Sequence, residues 1–197
     1  PRYDIAFVNV PAWGSDPFVG TMPFPAGTPV PPGSDGQVSV ADPVANLTDN
    51  IWQCVVTGGT PSATWGGQAP LYGDGRDSAG RSTGAGLARY GAVVRGAEIT
   101  AGVINHALFF STNMATVGTF RYPAVYTDGS NMSGVATPIP DGARVQLDPS
   151  INLAGISGIT AAELTIGKAL QTYGAYCGDN GGARMAFIFE YLGPTLS

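Results

Sequence analysis

The sequence predicts an all-β protein: an antiparallel β-sandwich, jelly-roll-like, in a single domain spanning residues 1–197, with one short helix near the C-terminus. Three observations carry this. Short apolar stretches alternate with polar residues at a period of two, clusters of Gly, Pro, Asn and Asp separate them, and one stretch alone carries complete helix start and stop signals. A chain of 197 residues with 44% hydrophobic content fills one core and is short for two independent domains.

Taken in order, "YDIAFVNVPAW" reads as a strand that ends at Pro11, and "MPFPAGTPVPPGSDG", with its five prolines, as an extended surface wrap that cannot be helix or central strand. "GQVSVAD" alternates Val38 and Val40 with polar neighbours. "NIWQCVVTGG" sets Ile51, Gln53 and Val55 against Trp52, Cys54 and Val56, and "DPVANLTD" between these two strands is turn-rich. From Gly58 to Gly86 neither period is visible, so this stretch reads as a long loop and the rim of a site. Beyond it, "RGAEITAG" reads as a short turn, "INHALFFS" as a strong strand, and "TFRYPAVYT", "ARVQLDP" and "ARMAFIFEYL" as the remaining strands. The helix is "TAAELTIGKALQTYG": Thr160 and Glu163 form a capping box, and Gly174 closes the last turn. After it, "AYC" and "ARMAFIFE" flank "GDNGG", which predicts a hairpin with Asp179, Asn180, Gly181 and Gly182 at its tip.

Composition narrows the function. Charged residues make up 12% of the chain, Gly and Pro number 29 and 16, and the net charge is -5 with a pI near 4.6. Such a surface repels phosphate backbones, which argues against nucleic-acid binding. Cys54 and Cys177 are too few and too distant for a metal knuckle; they are either two buried thiols or, the favoured reading, a disulfide that points to an oxidising compartment. The opening "PRYDIAFVNV" has no charged segment followed by an apolar one, so the expectation is that any secretion leader has been removed. No apolar run approaches the roughly 20 residues of a membrane span. The expected localisation is secreted or extracellular.

"AGVINHALFFS", "GARVQLDPSINLAGI" and "KALQTYGAYCGDNGG", with a weaker echo in "PPGSDGQVSVADP", resemble motifs that follow one another in a family of secreted, largely uncharacterised bacterial proteins common in soil actinobacteria and other polymer degraders. The likeness covers about half of the chain, from Gly86 to Gly182. The family often carries a histidine where Gln37 stands, which leaves His106 here without a second histidine. What the resemblance implies is an exported β-rich domain in a polysaccharide-rich setting, with no assigned reaction.

The candidate chemistry follows from that expectation. His106 is the sole histidine and reads either as a half-buried strand residue facing with Ile104 and Leu108, or as a general base in a glycan cleft. A lyase would add Tyr173 or Tyr176 as proton donor, with Arg144, Asn180 and Gln37 on a uronate carboxylate. A hydrolase needs two carboxyls about 5 Å or about 6.5–9.5 Å apart. With Glu163 used as a cap, the candidates are Glu98, Glu190, Asp148 and Asp179; Asp148 before Pro149 and Asp179 at a hairpin tip also read as turn residues. Trp13 and Trp65, in Gly/Pro-rich loops, are the expected stacking surfaces for sugar rings, whereas Trp52 reads as core. "YGDGRDSAG" offers Asp74, Asp77 and Ser78 to calcium but lacks the bidentate Glu of a calcium loop, so no cofactor is expected beyond a weak calcium reading. The expected partner is a polysaccharide. The alternative is a non-catalytic surface-assembly protein, a layer, filament or adhesion subunit, for which low charge and Gly/Ala/Thr richness are suited and which would oligomerise.

Overall fold

The computed structural model describes residues 1–11 and 16–193. They are mostly strands with few helices, arranged in two compact units, each with its own apolar cluster where length alone suggested a single domain.

The first unit holds residues 1–90 with the short return 123–125 and the chain from 191. Its strands are β1 (Arg2–Asp4), β2 (Ala6–Phe7), β3 (Thr21–Pro23), β4 (Val38–Asp42), β5 (Leu47–Trp52), β6 (Val55–Thr57), β7 (Thr60–Ala63), β8 (Trp65–Pro70) and β9 (Ala79–Gly80). β4, β5, β8 and β9 form an antiparallel sheet in that order; β1 pairs with β3, and β2, β7 and β6 make a third sheet in which β2 runs parallel to β7. The β4–β5 hairpin is built locally: Asp42 Oδ1 accepts from the Val44 and Ala45 amides at 3.2 and 3.1 Å, and Asn46 takes φ 56°, a conformation Asn tolerates. The core gathers Phe18, Met22, Phe24, Val38, Ile51 and Cys54.

The expected loop from Gly58 to Gly86 is instead the site of β7, β8 and β9. Its glycines hide the strand period because they are there for close approach. A Cβ on Gly66 would lie 2.9 Å from Asn50 O and from the Phe7 and Phe18 rings, and one on Gly67 would strike the backbone of Arg81 and Ser82.

The second unit holds residues 91–122 and 126–190. It contains α1 (Gly96–Ala101), β10 (Leu108–Thr112), β11 (Ala115–Phe120), β12 (Ile139–Asp141), β13 (Arg144–Val145), α2 (Ala161–Thr172), β14 (Ala175–Asn180) and β15 (Ala186–Phe187). The expected turn "RGAEITAG" is thus a helix, started by Glu98 Oε2 accepting from Arg95 N at 2.8 Å. α2 begins as predicted, with Glu163 N donating to Thr160 Oγ1 at 3.2 Å and Thr160 N to Glu163 Oε2 at 2.7 Å.

The sheet order is β13, β14, β10, β15, with β14 parallel to β10 and β15 antiparallel to it. The expected hairpin across "GDNGG" is therefore corrected. β14 and β15 do not pair with each other; they flank β10, and Asp179 and Asn180 end a strand rather than cap a turn. The parallel pairing is possible because β13, antiparallel to β14, has already brought the chain back to the end where β14 begins, with Val145 opposite Ala175. β11 and β12 are also parallel. The core holds Val94, Ile104, Leu108, Phe110, Ala169 and Cys177.

The expected disulfide is absent. Cys54 and Cys177 are both free and buried, each within a different unit's apolar cluster. Cys177 Sγ, moreover, is occupied as a donor to Asp141 Oδ1 at 3.3 Å.

Candidate functional site

Parallel strands bring their carboxyl ends to one edge of a sheet. Here that edge belongs to β10 and β14, where Ser111 pairs with Asp179 and Thr112 with Asn180. The register slips by one residue at Gly178, since Phe110 faces Cys177 while the next residue, Ser111, already faces Asp179. The bulge is forced by packing. A Cβ on Gly178 would overlap the Phe109 ring, so only glycine fits, and the slip re-aims the residues that follow.

The segment from Thr127 to Gly134 closes over this edge. Asp128 Oδ1 accepts from the Asn180 amide at 2.9 Å, and Ser130 Oγ accepts from Asn180 Nδ2 at 3.0 Å. The Asp179 carboxyl lies close enough for its charge to act on Asp128. Thr127 Oγ1 donates to Asp141 Oδ2 at 2.7 Å, and Asp141 is fully buried. The Asn180 Oδ1 atom is buried and has no protein partner.

The electrostatics follow from the crowding of carboxyls. Desolvation is the first cause that raises Asp128 above the ordinary carboxylate range, followed by its neighbours Asp179 and Asp141. Part of the Asp128 residue is surface-exposed, yet its carboxyl faces Asn180 and Asp179, and the upward direction follows from those contacts. Burial likewise raises Asp141, against the bonds from Thr127 and Cys177. The upward direction favours a proton on Asp128, which makes it the acid of this edge.

Of the sequence-predicted residues, Asp179 and Asn180 stand in this cluster. His106 does not. It lies in the connection before β10 rather than on the strand, with Nε2 3.0 Å from Glu98 Oε1 and Nδ1 2.9 Å from Ala107 O. The length of β10, roughly 17 Å at about 3.4 Å per residue, separates His106 and Glu98 from the cluster. Arg144 donates to Tyr173 O at 2.6 Å and to Thr172 O at 3.5 Å, so Arg144 and Tyr173 together close the C-terminus of α2. Asp148 is exposed and accepts from Ser150 N at 2.8 Å, the turn alternative given above.

In the first unit, Trp65 is only 5% exposed and sits on β8, which corrects its expected place on a loop surface. Gln37 is half-buried just before β4. Trp13 lies outside the described residues. Asp74 is bound by Arg76 Nε at 2.6 Å, and Asp77 accepts from Ser82 N at 2.6 Å. Among the described residues no group of three or more His, Cys, Asp or Glu side chains is placed to hold a metal ion.

Sequence reasoning missed Asp128, Ser130 and Asp141. "TDGSNMSG" is assigned no element, and its Asp-Gly and Ser-Asn pairs are turn residues wherever they occur. The only signal was its density of short polar side chains.

Comparison with protein-family models, with curated proteins and with solved structures finds no match to this chain. The functional reading therefore rests on the site.

Proposed function

We propose that the protein is an exported carbohydrate-active protein that binds or cleaves an extracellular polysaccharide, with the carboxyl edge of β10 and β14 as its site. The observation that carries this reading is the bonded set Asp128, Asn180 and Ser130 at the strand ends, with the acidic neighbours Asp179 and Asp141 acting on Asp128. Every sugar hydroxyl is both donor and acceptor, and this edge supplies both kinds of partner. Asp128, which burial and its acidic neighbours favour in the protonated form, is a general acid for an oxygen of the glycan in a cleaving protein and a hydrogen-bond donor to it in a binding one.

Export rests on the low charge content and on the resemblance described above, since the disulfide expected to support it is absent. Buried free thiols are neutral on the question. Tyr126, two residues before Asp128 and 38% exposed, is the aromatic we assign to stack against a sugar ring in place of Trp65.

The test is incubation of the protein with uncharged and uronate-bearing polysaccharides, following binding, new reducing ends and the ultraviolet absorbance of a new double bond. Reducing ends with the ultraviolet signal establish a lyase, and binding alone establishes a lectin-like module. No binding and no cleavage, together with large assemblies by light scattering, would replace this reading with the surface-assembly one.

A further inference from the structure

We propose that His106 is a proton-dependent latch on α1, separate from the site above. Each of its ring nitrogens faces an atom that can only accept: Nδ1 is 2.9 Å from the Ala107 carbonyl oxygen, and Nε2 is 3.0 Å from Glu98 Oε1. A neutral imidazole carries one N–H and can satisfy only one of them, whichever tautomer it adopts. The other nitrogen then points a lone pair at an oxygen within hydrogen-bonding distance. Only the imidazolium satisfies both, and it does so against a carboxylate, the stronger kind of hydrogen bond.

The latch acts on a short helix with little else to hold it. α1 has six residues, none of them buried, and helices of that length do not persist alone. Its attachments are Ile99, which packs on the apolar cluster, the Gly96 amide, which donates to Glu190 Oε2 at 3.1 Å, and the His106–Glu98 bond. The charged groups around the ring are few. α1 and its cap contribute Glu98 and Arg95, whose guanidinium is 3.9 Å from Glu98 Oε1. The chain after β15 contributes Glu190. On α2, which packs against α1, Glu163 is bonded to Thr160, and Lys168 is exposed. Glu98 is thus the one carboxylate bonded to the ring, and a ring with a single proton sets a bare lone pair against either that carboxylate or the Ala107 carbonyl oxygen.

The test follows the histidine by nitrogen-15 NMR and the amides of residues 96–101 by hydrogen exchange, on the full chain across the same pH series. The latch predicts two ring protons wherever α1 is protected. It also predicts amide exchange that rises at least about tenfold as the ring loses its proton, the loss of one charge-assisted bond. His106→Gln donates to Glu98 at every pH, so it abolishes the pH dependence. Glu98→Gln, whose amide can turn its N–H toward a bare Nε2, does the same and serves if the first variant fails to fold. A singly protonated ring over a fully protected α1, or a pH dependence that survives in either folded variant, would overturn the proposal.

Discussion

Asp128 Oδ1 accepts from the Asn180 amide at 2.9 Å, and the charge of Asp179 acts on the same carboxyl. Burial and these acidic neighbours favour a proton on Asp128 at the carboxyl edge of two parallel strands, and Asp141 of the same cluster is fully buried. A cluster of acids is costly to bury, and its persistence links the fold to pH.

Stability should rise as pH falls from about 8 toward 5, opposite to the usual acid sensitivity. Burial pushes Asp77 up to about 6, despite its bonds to Ser82 and the nearby Arg89 and Arg81. Asp49, Asp128 and Asp141 are raised too, burial again leading. A carboxyl whose folded pKa is raised binds more protons folded than unfolded. Its stabilising contribution is complete below the unfolded value of about 3.8 and is lost as pH rises through the folded one. Asp42 works the other way: burial raises it, but the Ala45 amide and Arg2 outweigh that and hold it low. Its contribution disappears only in stronger acid. Thermal melts between pH 4 and 9 check this, at roughly 2–4 °C per kcal/mol; a midpoint that climbs steadily to pH 8 would contradict it.

Reducing agent should leave the melting temperature unchanged. Both cysteines are free and buried; burial pushes the Cys54 thiol up to about 11, and burial and Asp141 raise Cys177. Two thiols should therefore label in denaturant and almost none in the native state. A mass two hydrogens lower without reductant would show the bridge after all.

Two glycines four residues apart should behave oppositely. Gly178→Ala drives a Cβ into the Phe109 ring, whereas Gly182→Ala meets nothing within 4 Å. Denaturant titration should show a loss of about 1–3 kcal/mol for the first and little change for the second. Equal effects would mean that the bulge at Gly178 is not fixed by packing.

Removing the cap of α2 should cost about 1 kcal/mol. Thr160→Ala deletes the acceptor for Glu163 N at 3.2 Å, a loss of ordinary N-cap size. Thr160→Ser, which keeps the oxygen, should recover most of it.

What the sequence made legible was whatever local chemistry determines. Thr160 and Glu163 announce α2 because a capping box is a contact within four residues, and Val38 and Val40 announce β4 by simple alternation. The β-rich class followed from many such short signals. What stayed hidden depends on partners far along the chain. Gly66 and Gly67 read as loop because nothing local says that Asn50 and Arg81 press against them. "GDNGG" is good hairpin chemistry, and only the pairing of β14 with β10 makes it a strand end. His106 and Glu98 were both candidates, yet their contact depended on "RGAEITAG" being a helix, and the Glu98 cap that makes it one was read as part of a turn. Asp128 was invisible because its significance lies in Asp179, fifty-odd residues away.

The measurement that bears most directly on the central claim is polysaccharide binding, by calorimetry across the same panel, for the wild-type protein beside Asp179→Asn and Asp128→Asn. Each substitution keeps the shape and removes one carboxyl of the cluster. The account predicts a polysaccharide that the wild-type protein binds or cleaves and that both folded variants handle at least about tenfold less well. A wild-type protein that engages one and variants that do so equally would place the site elsewhere.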